Sequence, residues 1–234
     1  MGNKYRIIIN NRAAKFQRFL LFNEAPQTGT QTSKAQAFTN VWAVAPGVPG
    51  PHGKTDFKVD VQEWAVSGTS QQALNEKVVV ETTDAAPVDL NIGPTTGTKV
   101  FMTVMEGGAG FDPSKTANSN VPGGFSIQTG SYDGPDNCRQ NPKSQDEDIV
   151  PVAVWSADPN ELYEVIPKEI FYIATGDFKL GQIVNVRSIG KVAKVDFSSG
   201  SGVGKDIAII NFTRTHEFTP AVFKNSDEDG DITG

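Results

Sequence analysis

Three features of the 234-residue sequence predict an all-β protein, most simply an antiparallel β-sandwich. Apolar and polar residues alternate without error over residues 57–62 and again over 194–197, which is the pattern of strands with one solvated face. Short runs rich in Val, Ile and Phe recur along the chain and are separated by Gly, Pro, Asn and Asp. No window carries the i, i+3, i+4 apolar repeat of a long helix. This spacing favours a sandwich or barrel over alternating βαβ units.

The predicted strands are short and spread along the whole chain. In chain order they are residues 5–9, 19–22, 41–44, 57–62, 78–80, 100–105, 149–155, 170–173, 183–186, 194–197 and 207–212. A helical turn is expected only at 70–76, where Ser70 is a suitable cap. Residues 40–44 and 152–155 are alike, which leaves open a sandwich made of two packed halves.

We predict one β-sandwich unit over residues 1–224, with a long irregular loop at 106–148. This loop is rich in Gly, Asn, Asp, Ser and Pro, and its one short strand candidate is 125–128. Loops of this length in compact domains are commonly functional or disordered, so any binding lid is expected here. Residues 225–234 are predicted to be an acidic flexible tail. The tail matches half of a calcium-binding loop, but the acidic ligand at position twelve is missing, so no metal site is predicted.

Charge and cysteine content restrict the partners and the compartment. The formal net charge is −6, and Lys and Arg are scattered rather than clustered, so neither nucleic acid nor an anionic membrane surface is an expected partner. Cys138 is the only cysteine, which favours a reducing compartment. The N-terminal residues contain no apolar signal core, and no apolar run approaches the roughly 18 residues of a membrane span. We therefore expect a cytoplasmic protein.

No motif in the sequence supports catalysis or a cofactor. His52 and His216 are the only histidines, and no Gly-x-Ser-x-Gly nucleophile motif accompanies them, so both are predicted to be surface side chains. Residues 200–205 resemble a phosphate-binding loop but lack its first glycine, and a strand follows where a helix is required. The sequence indicates no convergent pair among the carboxylates considered for acid–base chemistry, which are Asp56, Asp60, Glu63, Asp146, Glu147 and Asp148. The prediction is no catalytic residue, no metal and no cofactor.

Aromatic residues within or at the ends of strands are the candidate ligand-binding residues. They are Trp42, Trp64, Trp155 and Tyr172. A buried tryptophan commonly anchors a sandwich core, so a structural role stands beside the binding role. Trp64 is the strongest candidate, because continuing the alternation of residues 57–63 places it on the polar face of its strand. An exposed tryptophan among polar residues is an arrangement that binding sites use.

The order of several segments is similar to that of a known protein family. An opening strand YRIIINN at 5–11 is followed by FLLFNEAP at 19–26, NVWA at 40–43 and EWAVSG at 63–68. Near the C-terminus stands YIATGDFKLGQIV at 172–184. This series resembles the rhizosphere-expressed protein family of root-nodule bacteria, which has relatives in fungi. The resemblance implies a cytoplasmic microbial β-protein without an established activity, and it carries over no functional residue.

Three classes of function remain open from the sequence. The first is non-enzymatic binding of a small molecule or glycan through the strand-borne aromatic residues. The second is a cofactor-free enzyme of the isomerase or cyclase type, acting through shape and a few carboxylates. The third is a self-associating structural or stress-abundance protein, a homo-oligomer that an exposed β edge permits. Binding without turnover is the function that the sequence favours.

Overall fold

The computed structural model describes residues 4–29, 36–60, 62–70, 72–105, 108–132, 150–185 and 189–226 of the protein. Across these ranges the chain forms strands, with short 3₁₀ turns at Pro113–Lys115 and Gly200–Gly202 and no α-helix. In chain order the strands are β1 (Lys4–Asn11), β2 (Gln17–Asn23), β3 (Gln27–Gly29), β4 (Phe38–Asn40), β5 (Ala43–Val48), β6 (Lys54–Asp60), β7 (Trp64–Thr69), β8 (Glu81–Pro87), β9 (Gly97–Met105), β10 (Gly108–Phe111), β11 (Ala117–Ser119), β12 (Phe125–Thr129), β13 (Ala153–Val154), β14 (Leu162–Ile166), β15 (Ile170–Thr175), β16 (Ile183–Val184), β17 (Val192–Asp196), β18 (Ile207–Phe212) and β19 (Val222–Lys224). The predicted all-β class is confirmed.

Two four-stranded sheets face one another around the larger hydrophobic core. The first has the order β19-β18-β1-β6 and the second the order β17-β15-β2-β5. Alternate residues of each strand point into the space between the sheets, so Ile7 and Ile9 of β1 and Phe19 and Leu21 of β2 are fully buried. Most pairings are antiparallel, but β1 and β18 run parallel, with Ile7 beside Ala208. Burying a large apolar side chain contributes about 1.5–3 kcal/mol, so this sandwich is a main source of folding free energy.

A small third sheet covers the outer face of the second sheet. It has the order β13-β4-β16 and encloses a separate core with Leu20, Phe22, Val41, Ala174 and Val184. Strand β2 is therefore buried on both faces, which explains its uninterrupted apolar run over residues 19–22. These three layers form the first packing unit.

The second packing unit is built on a sheet with the order β10-β9-β12-β14-β3, in which β11 also pairs with β9. The β7-β8 hairpin packs against it, and the core between them includes Ala65, Phe125 and Tyr163. Two hydroxyl groups attach the hairpin to β10, because Ser67 and Thr83 each donate a hydrogen bond of 2.8 Å to the carbonyl oxygen of Ala109. The described residues thus form two packing units, each with its own hydrophobic core.

The segment predicted as a long loop contains regular structure. Residues 108–129 include β10, β11 and β12, and β12 lies in the interior of its sheet between β9 and β14. Phe125 and Ile127 alternate with more polar neighbours and are buried in the second core, which is why a strand forms within this Gly-rich sequence. The described part of the predicted loop therefore contains three strands. Residues 133–149, which complete the predicted loop, and 227–234, most of the predicted acidic tail, lie outside the described residues.

Other local predictions also differ from the structure. The described residues between 70 and 76 form bends and a turn rather than a helix, and the segment 78–80 contributes only a bridge between Val79 and Gln182. Strands β8 and β14 were not predicted. The sequence of β8, ETTDAAP, lacks apolar alternation, and each of its residues remains partly or fully exposed.

The chain crosses between the two packing units several times, and three of these crossings are short. Residues 24–26 join β2 to β3, and residues 167–169 join β14 to β15. Residues 62 and 63 lead from β6 into β7. These crossings bring segments that are distant in sequence to one region of the surface.

Candidate functional site

A cleft of about 1040 Å³ lies where the two packing units meet, and we call it the junction cleft. Its lining includes β7 together with residues of β9, β12 and β14 such as Met102, Ile127 and Tyr163. The three short crossings between the units contribute Glu24, Glu63 and further residues. Pockets for small molecules are typically about 300–1,000 Å³ and often lie at such interfaces, so the junction cleft has the size and position of a ligand site.

Three of the four predicted ligand-binding residues line the junction cleft. They are Trp42, Trp64 and Trp155, which come from segments more than twenty residues apart. Strand pairing and the crossings bring them together, and no local sequence pattern shows that they converge. The cleft therefore has aromatic surface contributed by both packing units.

Trp64 is 44% exposed, as its candidate role requires, but for a different reason from the one predicted. The alternation of β6 does not continue through it, because β6 ends at Asp60 in the first unit and Trp64 begins β7 in the second. Its cross-strand neighbour is Pro87, at the end of the two-stranded β7-β8 sheet. The end position on a hairpin leaves the indole uncovered.

Trp42 is partly buried and is held by hydrogen bonds at both its backbone and its side chain. Its backbone N–H donates to the carbonyl oxygen of Leu21 at 3.1 Å. Its indole Nε1–H donates to Oδ1 of Asn23 at 2.7 Å. Because the indole donor is already paired, Trp42 offers a ligand its ring surface rather than a hydrogen bond.

Trp155 follows β13 and packs against the second core. Its ring lies 6.0 Å from the ring of Tyr163, tilted by 48°. Tyr163 is itself buried, and its hydroxyl oxygen accepts a hydrogen bond of 2.6 Å from the backbone N–H of Asp158. Trp155 thus combines a structural contact with exposure to the cleft.

Tyr172 is not among the residues that line the junction cleft. Side chains alternate along β15, so its neighbour Phe171 reaches the cleft while Tyr172 stacks on Phe22 on the opposite face. Its hydroxyl donates a hydrogen bond of 2.9 Å to Oε2 of Glu24, which does line the cleft. Desolvation and the Glu24 carboxylate raise the pKa of Tyr172 to about 12, so the hydroxyl remains a donor at neutral pH. Tyr172 therefore lies outside the cleft lining and holds Glu24 by a hydrogen bond.

Glu24 and Lys168 form an ion pair at the edge of the cleft. Nζ of Lys168 lies 2.6 Å from Oε1 of Glu24. The hydrogen bond from Lys168 is the largest influence on the pKa of Glu24 and lowers it, assisted by the Tyr172 hydroxyl and opposed by desolvation. Glu24 is therefore ionised at neutral pH, and both of its oxygens are engaged.

Two acidic residues, Glu63 and Glu169, also line the cleft. Desolvation raises the pKa of Glu63, and the negative charge of Glu169 raises it further. Glu63 was among the carboxylates considered from the sequence, but Glu169 was missed. The sequence indicates only that Glu169 stands directly before β15, at the end of the crossing formed by residues 167–169. It does not reveal that this crossing meets the one at residue 63.

The family model for RhiA matches residues 2–204 of the chain. The chain belongs to the RhiA family. The match includes all the residues that line the junction cleft, whereas β18 and β19, which complete the first sheet, follow it. The predicted resemblance is thereby confirmed. No curated protein and no solved structure gives a significant match to this RhiA-family chain.

Of the remaining candidates of the RhiA-family chain, Asp60 lines the cleft, whereas the others lie away from it or beyond the described ranges. His52 and His216 are both exposed, and neither lines the cleft. Asp146, Glu147 and Asp148 lie outside the described residues. The part of the chain that the structure describes contains no group of three or more His, Cys, Asp or Glu side chains arranged to hold a metal ion. It likewise contains no helix long and apolar enough to cross a membrane.

Proposed function

We propose that this RhiA-family protein binds a small molecule or glycan in the junction cleft without converting it. The observation that carries the proposal is the convergence of Trp42, Trp64 and Trp155 on one cleft of about 1040 Å³. Aromatic walls with a few polar groups at fixed positions are the usual composition of ligand sites. Here the polar groups include Asn23 and the Glu24–Lys168 ion pair.

The three tryptophans also provide the means of testing the proposal. Intrinsic fluorescence is recorded during titration with 1-N-phenylnaphthylamine, a neutral aromatic probe, and separately with cellotetraose, a neutral glycan. We expect a saturable change with one site per chain for at least one probe. Trp64→Ala weakens that binding, whereas Phe16→Ala does not, because Phe16 is 72% exposed and does not line the cleft. Binding of neither probe, or equal binding by both variants, contradicts the proposal.

A cofactor-free enzyme is the second candidate, and the Glu63–Glu169 pair favours it. A carboxyl group whose pKa is raised by burial and by a second carboxylate is better suited to accept and return a proton than an ordinary surface carboxylate. Isomerase or cyclase chemistry needs such a group within a shaped apolar site. Conversion of a bound compound that is lost in Glu63→Gln and retained in Glu164→Gln identifies an enzyme. Glu164 serves as the control because it is exposed and does not line the cleft.

We also propose a cytoplasmic location. The support is the single cysteine in 234 residues, since proteins of oxidising compartments commonly carry disulfides. To test this, the protein is isolated from its source with a thiol-trapping reagent present and is then denatured. Trapping of this cysteine shows that it was a free thiol, as a reducing compartment requires.

A further inference from the structure

Strand β6 is the longest edge strand of the two facing four-stranded sheets. It has seven residues, pairs with β1 in one continuous antiparallel register and, among the described strands, has no neighbour on its other side. The other edge strands are shorter or interrupted. Strands β19 and β17 have three and five residues, and β5 contains Pro46 and a register shift. An uninterrupted edge offers a row of backbone donors and acceptors to another strand.

The bonds from β1 show which backbone groups of β6 point outward. The N–H of Asn11 donates to the carbonyl oxygen of Gly53 at 2.8 Å, directly before β6 begins. Bonded positions recur at every second residue of an antiparallel pair, so the odd-numbered residues of β6 bond to β1. The N–H and C=O groups directed away from β1 therefore belong to Lys54, Asp56, Lys58 and Asp60.

The same four residues carry alternating charges on the solvated face of β6. Their order, Lys-Asp-Lys-Asp, is self-complementary in an antiparallel pairing of two β6 strands centred on Phe57. In that register Lys54 of one copy faces Asp60 of the other, and Asp56 faces Lys58. Outward backbone groups also face one another there, so hydrogen bonding and opposite charges coincide.

The charges select this register over its neighbours. Sliding one strand by two residues keeps the backbone bonding but places lysine opposite lysine and aspartate opposite aspartate, which is destabilising. Charges that protect an edge do so by repelling a second strand. The series on β6 attracts a second copy of itself in one register.

The ion pairs within the chain leave the lysines of β6 available. Its aspartates pair with Lys4 and Arg6 of β1. In the described ranges, by contrast, neither lysine of β6 makes an ion pair, and Lys58 is exposed and lies directly opposite Arg6 in the strand register. A carboxylate arriving from the open side of β6 offsets this like-charge contact.

We propose that two copies of the chain associate through β6, antiparallel about a two-fold axis at Phe57. The two first sheets then join into one sheet of eight strands, four from each copy. The contact is isologous, as in most homodimers, because each copy contributes the same strand. This association goes beyond the proposed ligand binding and does not depend on it.

Sedimentation equilibrium of the full-length protein tests the association at concentrations up to about 1 mM, the weak end of specific binding. We expect a reversible dimer of two 25.1 kDa chains. Lys58→Asp and Asp56→Lys each place like charges at two symmetric contacts, so each should weaken the dimer on the order of tenfold. Lys179→Asp is the matched control, with the same charge change at an exposed position outside β6, and should leave the dimer unchanged.

Mixing the two variants tests the register. In the mixed dimer the lysines at positions 56 and 58 of one chain face aspartates at positions 58 and 56 of the other. The mixture should therefore associate more tightly than either variant alone. This comparison also controls for the ion pair with Arg6 that Asp56→Lys removes, because a variant that does not fold cannot restore the dimer.

Amide hydrogen exchange of the unsubstituted protein gives a second readout. The outward N–H groups of Asp56 and Lys58 should become protected as the concentration rises, whereas the N–H of Phe57, bonded to β1, is protected at every concentration.

Each contrary outcome overturns the proposal and leaves ligand binding, which the fluorescence titrations test, unaffected. A monomer at every concentration shows that β6 does not pair. A dimer that neither reversal weakens uses another surface. Folded variants whose mixture remains as weak as its components contradict the register centred on Phe57. If a variant does not fold, unchanged exchange at Asp56 and Lys58 in the unsubstituted protein contradicts pairing through β6.

Discussion

Nζ of Lys168 lies 2.6 Å from Oε1 of Glu24, so the only basic side chain among the described residues lining the junction cleft is already paired. The pair joins the crossing from β14 to β15 with the crossing from β2 to β3, and thus links the two packing units at the cleft edge. Both side chains are about one-third exposed, so the pair is worth at most about 1 kcal/mol of folding stability. Its larger effect is to reduce the negative potential of the cleft.

The tryptophans are expected to separate into binding and structural roles. Trp64→Ala reduces ligand affinity and changes the free energy of unfolding little, because Trp64 is 44% exposed. Trp155→Ala lowers both, since Trp155 packs on Tyr163 and the second core, and truncating buried aromatic residues costs about 3–5 kcal/mol at full burial. Urea unfolding followed by circular dichroism gives the two free energies. A stability loss in Trp64→Ala as large as in Trp155→Ala assigns Trp64 to the core.

Asn23 and Trp42 are expected to be energetically coupled. Trp42→Phe removes the indole donor, and Asn23→Ala removes its acceptor at 2.7 Å. A double-mutant cycle on the free energy of unfolding should give a coupling of about 1 kcal/mol, the usual net value of such a hydrogen bond. Asn23→Ala combined with Phe16→Ala gives the additive comparison. A coupling near zero means that the hydrogen bond does not position Trp42.

Glu63 is expected to destabilise the folded protein at neutral pH. Burial first, and the charge of Glu169 second, raise its folded pKa above the ordinary value of 4.5. Between those two pKa values the folded state binds more protons than the unfolded state, so stability falls as the pH rises. Glu63→Gln removes the ionised form, and its Tm at pH 7 should exceed that of the wild type.

The pH dependence supplies the control for Glu63. Below about pH 4 the carboxyl group is largely protonated in both states, so the gain in Tm disappears there. Glu164→Gln, at an exposed position, should shift the Tm little at either pH. A lower Tm for Glu63→Gln at pH 7 shows that Glu63 makes a stabilising contact as a carboxylate.

The sequence predicts the strands whose residues have clear apolar patterns. Strands β1, β2, β15, β17 and β18 coincide with predicted segments, because burial on one or both faces imposes the pattern. Strand β8 was missed because its residues are never fully buried and need no apolar alternation. Strand β14 was missed because its sequence, LYEVI, is apolar at four of five positions, although Tyr163 and Val165 are buried on either side of exposed Glu164.

The candidate site was only partly predictable. Residue type indicated the tryptophans, because a large aromatic side chain at the end of a strand is suited to either a core or a ligand site. Their convergence depends on crossings between the packing units, and that information is non-local. The partnership of Glu63 with Glu169 depends on the same crossings. The residue of β15 that lines the cleft is Phe171 and not Tyr172, and the sequence does not show which face of β15 meets the cleft.

Native mass spectrometry of the protein purified gently from its own source tests the central claim most directly. We predict a reproducible excess mass above 25.1 kDa per chain that disappears on denaturation. Protein with Trp64→Ala, produced and purified identically, should lose it, while Phe16→Ala protein should retain it. A bare mass at 25.1 kDa or at a defined multiple contradicts a bound ligand, and a multiple favours self-association instead.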